Sequence, residues 1–106
     1  MFEGSEDEGG RVRLFLRLTT DVNDRLRALM RYHGELSRYI DDALTTLDLA
    51  SIELMPVTLG RSARGITAIV SGSANTRVRA AAKRRGCTVT ALANSALDQW
   101  LGGRCG

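Results

Sequence analysis

Little in this chain points to chemistry of its own. It holds one histidine, one proline and two cysteines, and aromatic residues make up only 5% of it. Cys87 and Cys105 are too few for a disulfide framework. With His33 alone and no Cys-x-x-Cys pair, structural zinc is not expected either. No Ser-His-Asp arrangement, paired acid cluster or phosphate-cradling loop is visible, so neither an enzyme nor a cofactor is expected. No apolar run approaches the roughly 20 residues of a membrane span, and no charged-then-apolar leader is seen. The reading is a soluble, cytoplasmic protein without a membrane partner. Its 106 residues suffice for one small domain with a limited core. A Rossmann domain or a (β/α)₈ barrel is excluded.

What the chain does have is charge, unevenly placed. The net charge is +3, yet residues 1–10 carry Glu3, Glu6, Asp7 and Glu8 and no base. Residues 11–106 therefore hold 15 bases against 8 acids, a net of +7, and every base except Lys83 is Arg. Arg forks onto phosphate and guanine, so a basic body behind an acidic tail suggests nucleic acid. The plainer alternative is an Arg-rich coding bias on solvated faces. The tail (1–10) has too few apolar groups to fold. It either competes for the basic face or merely aids solubility.

Internal repetition is the strongest signal. Arg25-Leu26-Arg27-Ala28 recurs as Arg77-Val78-Arg79-Ala80 at an offset of 52, which also maps Leu18 onto Val70, Val22 onto Ala74 and Gly34 onto Gly86. One residue later the offset is 53, mapping Leu36 onto Val89, Ile40 onto Ala93 and Ala43-Leu44 onto Ala96-Leu97. The expected organisation is a single domain over 11–106, with repeat 1 (11–48), a connector (49–64) and repeat 2 (65–101).

Each repeat reads as strand, helix, helix. Val12, Leu14, Leu16 and Leu18 alternate with Arg13, Phe15 and Arg17, and period two predicts a strand. Thr19 or Thr20 caps a helix with Val22, Leu26, Leu29 and His33 inward, which Gly34 ends in the left-handed conformation. His33 reads as a packing or capping residue. Leu36, Ile40, Ala43, Leu44 and Leu47 line a second helix. In repeat 2, Ile66, Ala68 and Val70 form the strand, and Ser71 or Ser73 caps a helix with Ala74, Val78 and Ala81 inward, ending at Gly86. Thr88 then caps a helix that buries Val89, Leu92, Ala93, Ala96, Leu97 and Trp100. Repeat 1 is rich in Leu and repeat 2 in Ala, so large side chains face small ones. A lone strand cannot satisfy its backbone, so the two strands are expected to pair antiparallel. The apolar connector stretch 52–59 either lies against the helices or forms a contact between molecules. Cys87 stands before a helix N-terminus, a place that lowers a thiol pKa, although an inert turn residue is the plainer reading.

The short alternating strands ending at Leu18 and Val70, the glycine turns, and the run Gly86-Cys87-Thr88-Val89-Thr90-Ala91-Leu92 with Ala96-Leu97 resemble the ribbon-helix-helix (Arc/Met repressor) family. The resemblance covers residues 11–101. It implies a mainly α fold with one two-stranded antiparallel β-ribbon, here a pseudo-two-fold, single-chain version of the family's dimer. In that respect the chain is similar to tandem accessory proteins of bacterial conjugation systems.

The resemblance also implies a function: sequence-specific binding of double-stranded DNA with the ribbon in the major groove. By it, Arg13, Phe15, Arg17, Thr67 and Ile69 contact bases, the arginines forking onto guanine and the apolar side chains touching thymine methyls. Arg11, Arg64, Ser37, Arg38, Thr88 and Val89 contact phosphates, the last two at a helix N-terminus. Glu35, aligned with Thr88, weakens that clamp in repeat 1 unless its charge is neutralised. The expected role is a repressor of plasmid or mobile-element origin, or an accessory factor at a transfer origin or partition site. The expected site is asymmetric, because the repeats present different outer residues. Partners would be a second copy on an adjacent half-site and a relaxase or partition protein. The rival is a protein-interaction module that kept the fold and lost DNA binding.

Overall fold

The computed structural model describes residues 10–32, 34–54 and 64–105. The acidic tail through residue 9, His33, the connector residues 55–63, residue 106 and the side chains of Arg64, Arg104 and Cys105 lie outside the description. The elements run β1 (Arg11–Leu18), α1 (Thr20–Leu29), α2 (Glu35–Thr46), β2 (Arg64–Ser71), α3 (Gly72–Arg85) and α4 (Val89–Cys105). The fold is therefore mainly helical, with one two-stranded antiparallel sheet.

Alternation decides how the sheet sits. Leu14, Leu16, Leu18, Ala68 and Val70 are all buried against the helices, while Arg13, Phe15, Arg17, Thr67 and Ile69 stand on the opposite, solvated face. The register pairs Arg13 with Ile69, Phe15 with Thr67 and Arg17 with Gly65. Behind the ribbon, Leu26, Ile40 and Leu44 from the first half meet Ala74, Ala82, Ala93 and Ala96 from the second in one core. Large side chains against small ones let the helices approach without voids. Each second helix leans on the strand of the other half: α2 lies over β2, and α4 over β1. Leu49 and Ile52, at the start of the connector, are buried against this body.

Both strands are edge strands, whose outward N–H groups need partners. On β2, the Ser37 hydroxyl accepts from the Ile69 N–H at 3.0 Å, and one turn on, Asp41 accepts from the Ser71 N–H at 2.8 Å. At the end of β1, the Asn94 side-chain carbonyl accepts from the Thr19 N–H at 3.0 Å. Asn94 also donates to the carbonyls of Arg17 and Thr90.

The helix caps follow the expected residues with one exception. Thr19, Ser71 and Thr88 accept from the N–H groups of Val22, Ala74 and Ala91. Gly86 ends α3 at φ 69°, with its own N–H on Lys83 and the Cys87 N–H on the Ala82 carbonyl. Gly34 does not repeat this. It lies at φ −98°, ψ −8° and begins α2, while α1 stops a turn earlier at Leu29. The cause is chemical: Glu35 accepts the Arg31 N–H at 2.7 Å, and the Tyr39 hydroxyl donates to the Leu29 carbonyl at 2.9 Å. Side chains of α2 thus take the backbone groups that another turn of α1 would have used. The inward positions of α3 are Ala74, Val78 and Ala82, with Ala81 only half-buried.

Candidate nucleic-acid interface

The outer face of the ribbon gathers all five of the side chains expected to read bases. Arg13 and Arg17 are exposed on β1, two residues either side of Phe15, and have no acidic partner among the described residues. Four residues of extended chain separate them by about 13 Å. Phe15 is 63% exposed and Ile69 42% exposed, with Thr67 between Ile69 and Gly65 on β2. Solvating this much apolar surface is unfavourable, and its place beside two exposed guanidinium groups makes the face a mixed cationic and apolar ridge.

Gly65 contributes by what it lacks. A Cβ there would stand 3.0 Å from Cζ and 3.2 Å from Cε1 of Phe15. The ring therefore leans diagonally from its own partner, Thr67, over the backbone opposite Arg17, a reach that aromatic side chains have across antiparallel strands. Sequence reading passed over Gly65; its position opposite Arg17 becomes visible only once the register is known.

The expected phosphate contacts are spread more widely. Arg11 is exposed at the start of β1. Arg38 is exposed on α2 and donates to the Tyr32 hydroxyl at 2.9 Å, with Tyr32 itself 51% exposed. Ser37 is half-buried and already accepts from Ile69, but its own O–H remains a donor. Thr88 is exposed at the start of α4 and Val89 half-buried. The Ala91 N–H is taken by Thr88, and those of Val89 and Thr90 are among the amides a helix start leaves unpaired.

Glu35 does not face outward as a free carboxylate. It is buried, and it accepts from the Arg31 guanidinium at 2.7 Å, from the Arg31 N–H and from the Tyr39 hydroxyl at 3.0 Å. The Arg31 side chain and backbone together hold its pKa down at about 2. Its charge is neutralised within the fold. The signal was the spacing Arg31-x-x-x-Glu35 across a helix start, which a search for apolar periodicity ignores.

Several other bases are committed internally. Arg25 pairs with Asp98 at 2.7 Å, Arg77 donates to the Leu44 and Leu47 carbonyls, and Arg85 to those of Leu49 and Ile52. Among the described residues no three His, Cys, Asp or Glu side chains are grouped to hold a metal, and no helix is long and apolar enough to cross a membrane. No family model, curated protein or solved structure matches the chain.

Proposed function

We propose that the chain is a ribbon-helix-helix protein with both halves fused in tandem, and that it binds double-stranded DNA by laying the β1–β2 ribbon into the major groove. The offset of 52 that relates the repeats carries Phe15 onto Thr67, the residue facing it across the ribbon. An axis between those two residues exchanges the strands. The same relation carries Thr19 onto Ser71 and, one residue longer, Asp41 onto Asn94; each of these second-helix side chains bonds the helix-cap N–H of the other half. This relation supports reading the chain as a two-fold dimer made by one polypeptide.

The observation that supports DNA binding is the pair of exposed guanidinium groups, Arg13 and Arg17, without an acidic partner among the described residues and flanking Phe15 on the solvent face of a two-stranded ribbon. A major groove admits such a ribbon, and a bidentate Arg–guanine contact is worth about 1–3 kcal/mol of discrimination. The biological reading is a repressor or a transfer-origin accessory factor of a plasmid or other mobile element. The test is duplex selection from a random library, followed by titration of the selected duplex at several salt concentrations. The Arg13→Ala/Arg17→Ala variant loses at least about thirtyfold in affinity for the selected duplex relative to an unrelated one. Unchanged affinity and salt slope would remove the ribbon as the reading head.

The exposure of Phe15 and Ile69 favours a second reading, a protein-interaction module on the same face. Under it no duplex is enriched at any salt concentration.

A further inference from the structure

We propose that Gly65 is a specificity-determining residue: by leaving the space opposite Arg17 empty, it seats the Phe15 ring at that end of the ribbon and makes the two ends read different base steps. This inference rests on the DNA-binding reading above.

The register puts one guanidinium in each half of the ribbon, because Arg13 and Arg17 lie on opposite sides of the Phe15–Thr67 pair. Their apolar neighbours differ. Beside Arg13, across the strands, stands the branched side chain of Ile69. Beside Arg17 stands Gly65, whose missing Cβ leaves room for the Phe15 ring. The two ends are thus a guanidinium with an aliphatic neighbour and a guanidinium with an aromatic neighbour. Both neighbours suit a thymine methyl, but they project from different strands and at different offsets from their arginine. The arginines are about 13 Å apart, and base pairs rise about 3.4 Å each, so the two guanines lie about three to four base pairs apart. The recognised core is two guanine contacts with an apolar step beside each, unlike in position and so not palindromic.

Gly65→Ala tests this without touching a cation. The added methyl meets only the tip of the Phe15 ring, which swings away by rotating its own side-chain bonds. Library selection is run on the wild type, Gly65→Ala and Phe15→Ala, with thermal melts to verify folding. The wild type enriches an asymmetric core with two guanines at that spacing. Gly65→Ala and Phe15→Ala both flatten the same single step, on the Arg17 side, by about tenfold, the size of one mismatched base pair. The Arg13 half keeps its preference in both, and Gly65→Ala keeps the wild-type salt slope. A palindromic wild-type core, or a Gly65→Ala preference identical to wild type, overturns the inference while DNA binding stands. Failure of all three proteins to enrich any duplex overturns both.

Discussion

Asn94 joins the two halves of the protein through Thr19: its side-chain oxygen accepts the Thr19 N–H at 3.0 Å while its nitrogen donates to the Arg17 carbonyl at 3.0 Å. Asp41 makes the corresponding bond to Ser71, but there it only accepts, from the N–H and from the hydroxyl, both at 2.8 Å. The two positions therefore tolerate different substitutions. Asp41→Asn keeps an acceptor for Ser71 and costs about 1 kcal/mol or less. Asn94→Asp removes the donor that Arg17 and Thr90 use and sets a buried carboxylate against their carbonyls, costing about 3 kcal/mol or more. Urea denaturation of both variants checks the contrast, and equal losses would contradict it.

The Arg31–Glu35 pair predicts an acid limb of stability. Glu35 is held at about 2 against an ordinary 4.5, first by the Arg31 guanidinium and then by the Arg31 N–H. A folded-state pKa below the unfolded one contributes stability that is complete above about pH 4.5 and is lost as pH falls toward 2. Thermal melts from pH 7 to pH 2 should show the wild type falling over that window. Glu35→Gln should melt lower at pH 7 and fall less steeply below pH 4.5. Parallel curves for the two proteins would count against the pair.

Gly34 and Gly86 stand 52 positions apart in the sequence and should respond differently to alanine. Gly86 has φ 69°, where a Cβ costs about 1–2 kcal/mol, and nothing lies near enough to offset it. Gly34 has φ −98°, and a Cβ there meets only Tyr32 at 3.8 Å. Gly86→Ala is expected to lose about 1–2 kcal/mol, and Gly34→Ala to stay within about 0.5 kcal/mol of wild type. Denaturant midpoints of the two variants measure this directly.

These contrasts mark where sequence reading succeeds and where it stops. The period-two run from Val12 to Leu18 and the helical stripes of Ile40–Leu44 and Leu92–Leu97 were legible, because burial of alternating or stripe-wise apolar side chains is a local property. The helix caps were legible to within a choice of neighbours: Thr19 or Thr20 and Ser71 or Ser73 were open, and the bonds fall to Thr19 and Ser71, with Thr88 as expected. The end of α1 was not. It is decided by Glu35 and Tyr39, which reach back from the next helix, and no apolar pattern carries that information. Asn94 escaped notice because a buried amide looks like an interruption of its stripe until its three partners are placed around it. Phe15 and Ile69 were assigned to the outer face by alternation, but the lean of the ring over Gly65 depends on cross-strand register, a long-range property.

The basic residues divide between those bonded within the fold and those that the proposed DNA-binding reading assigns to the duplex, and this gives the last prediction. Arg77 donates to the Leu44 and Leu47 carbonyls at 2.7 and 2.8 Å, closing the C-terminal end of α2, whose last carbonyls lack helical partners. Arg13 is exposed on the solvated face of β1, and among the described residues it closes no helix end. Arg77→Ala should therefore lose about 1.5–3 kcal/mol of stability, the range for hydrogen bonds to a charged group, and leave the salt slope of duplex binding at its wild-type value. Arg13→Ala should melt like the wild type and lose about 1–3 kcal/mol of discrimination between the selected duplex and an unrelated one. Thermal melts paired with salt-dependent titrations separate the two roles. If Arg77→Ala alone weakened binding at a wild-type melting temperature, the division between structural and ligand-facing arginines would be wrong, and the cationic surface available to DNA would extend from the ribbon onto α3.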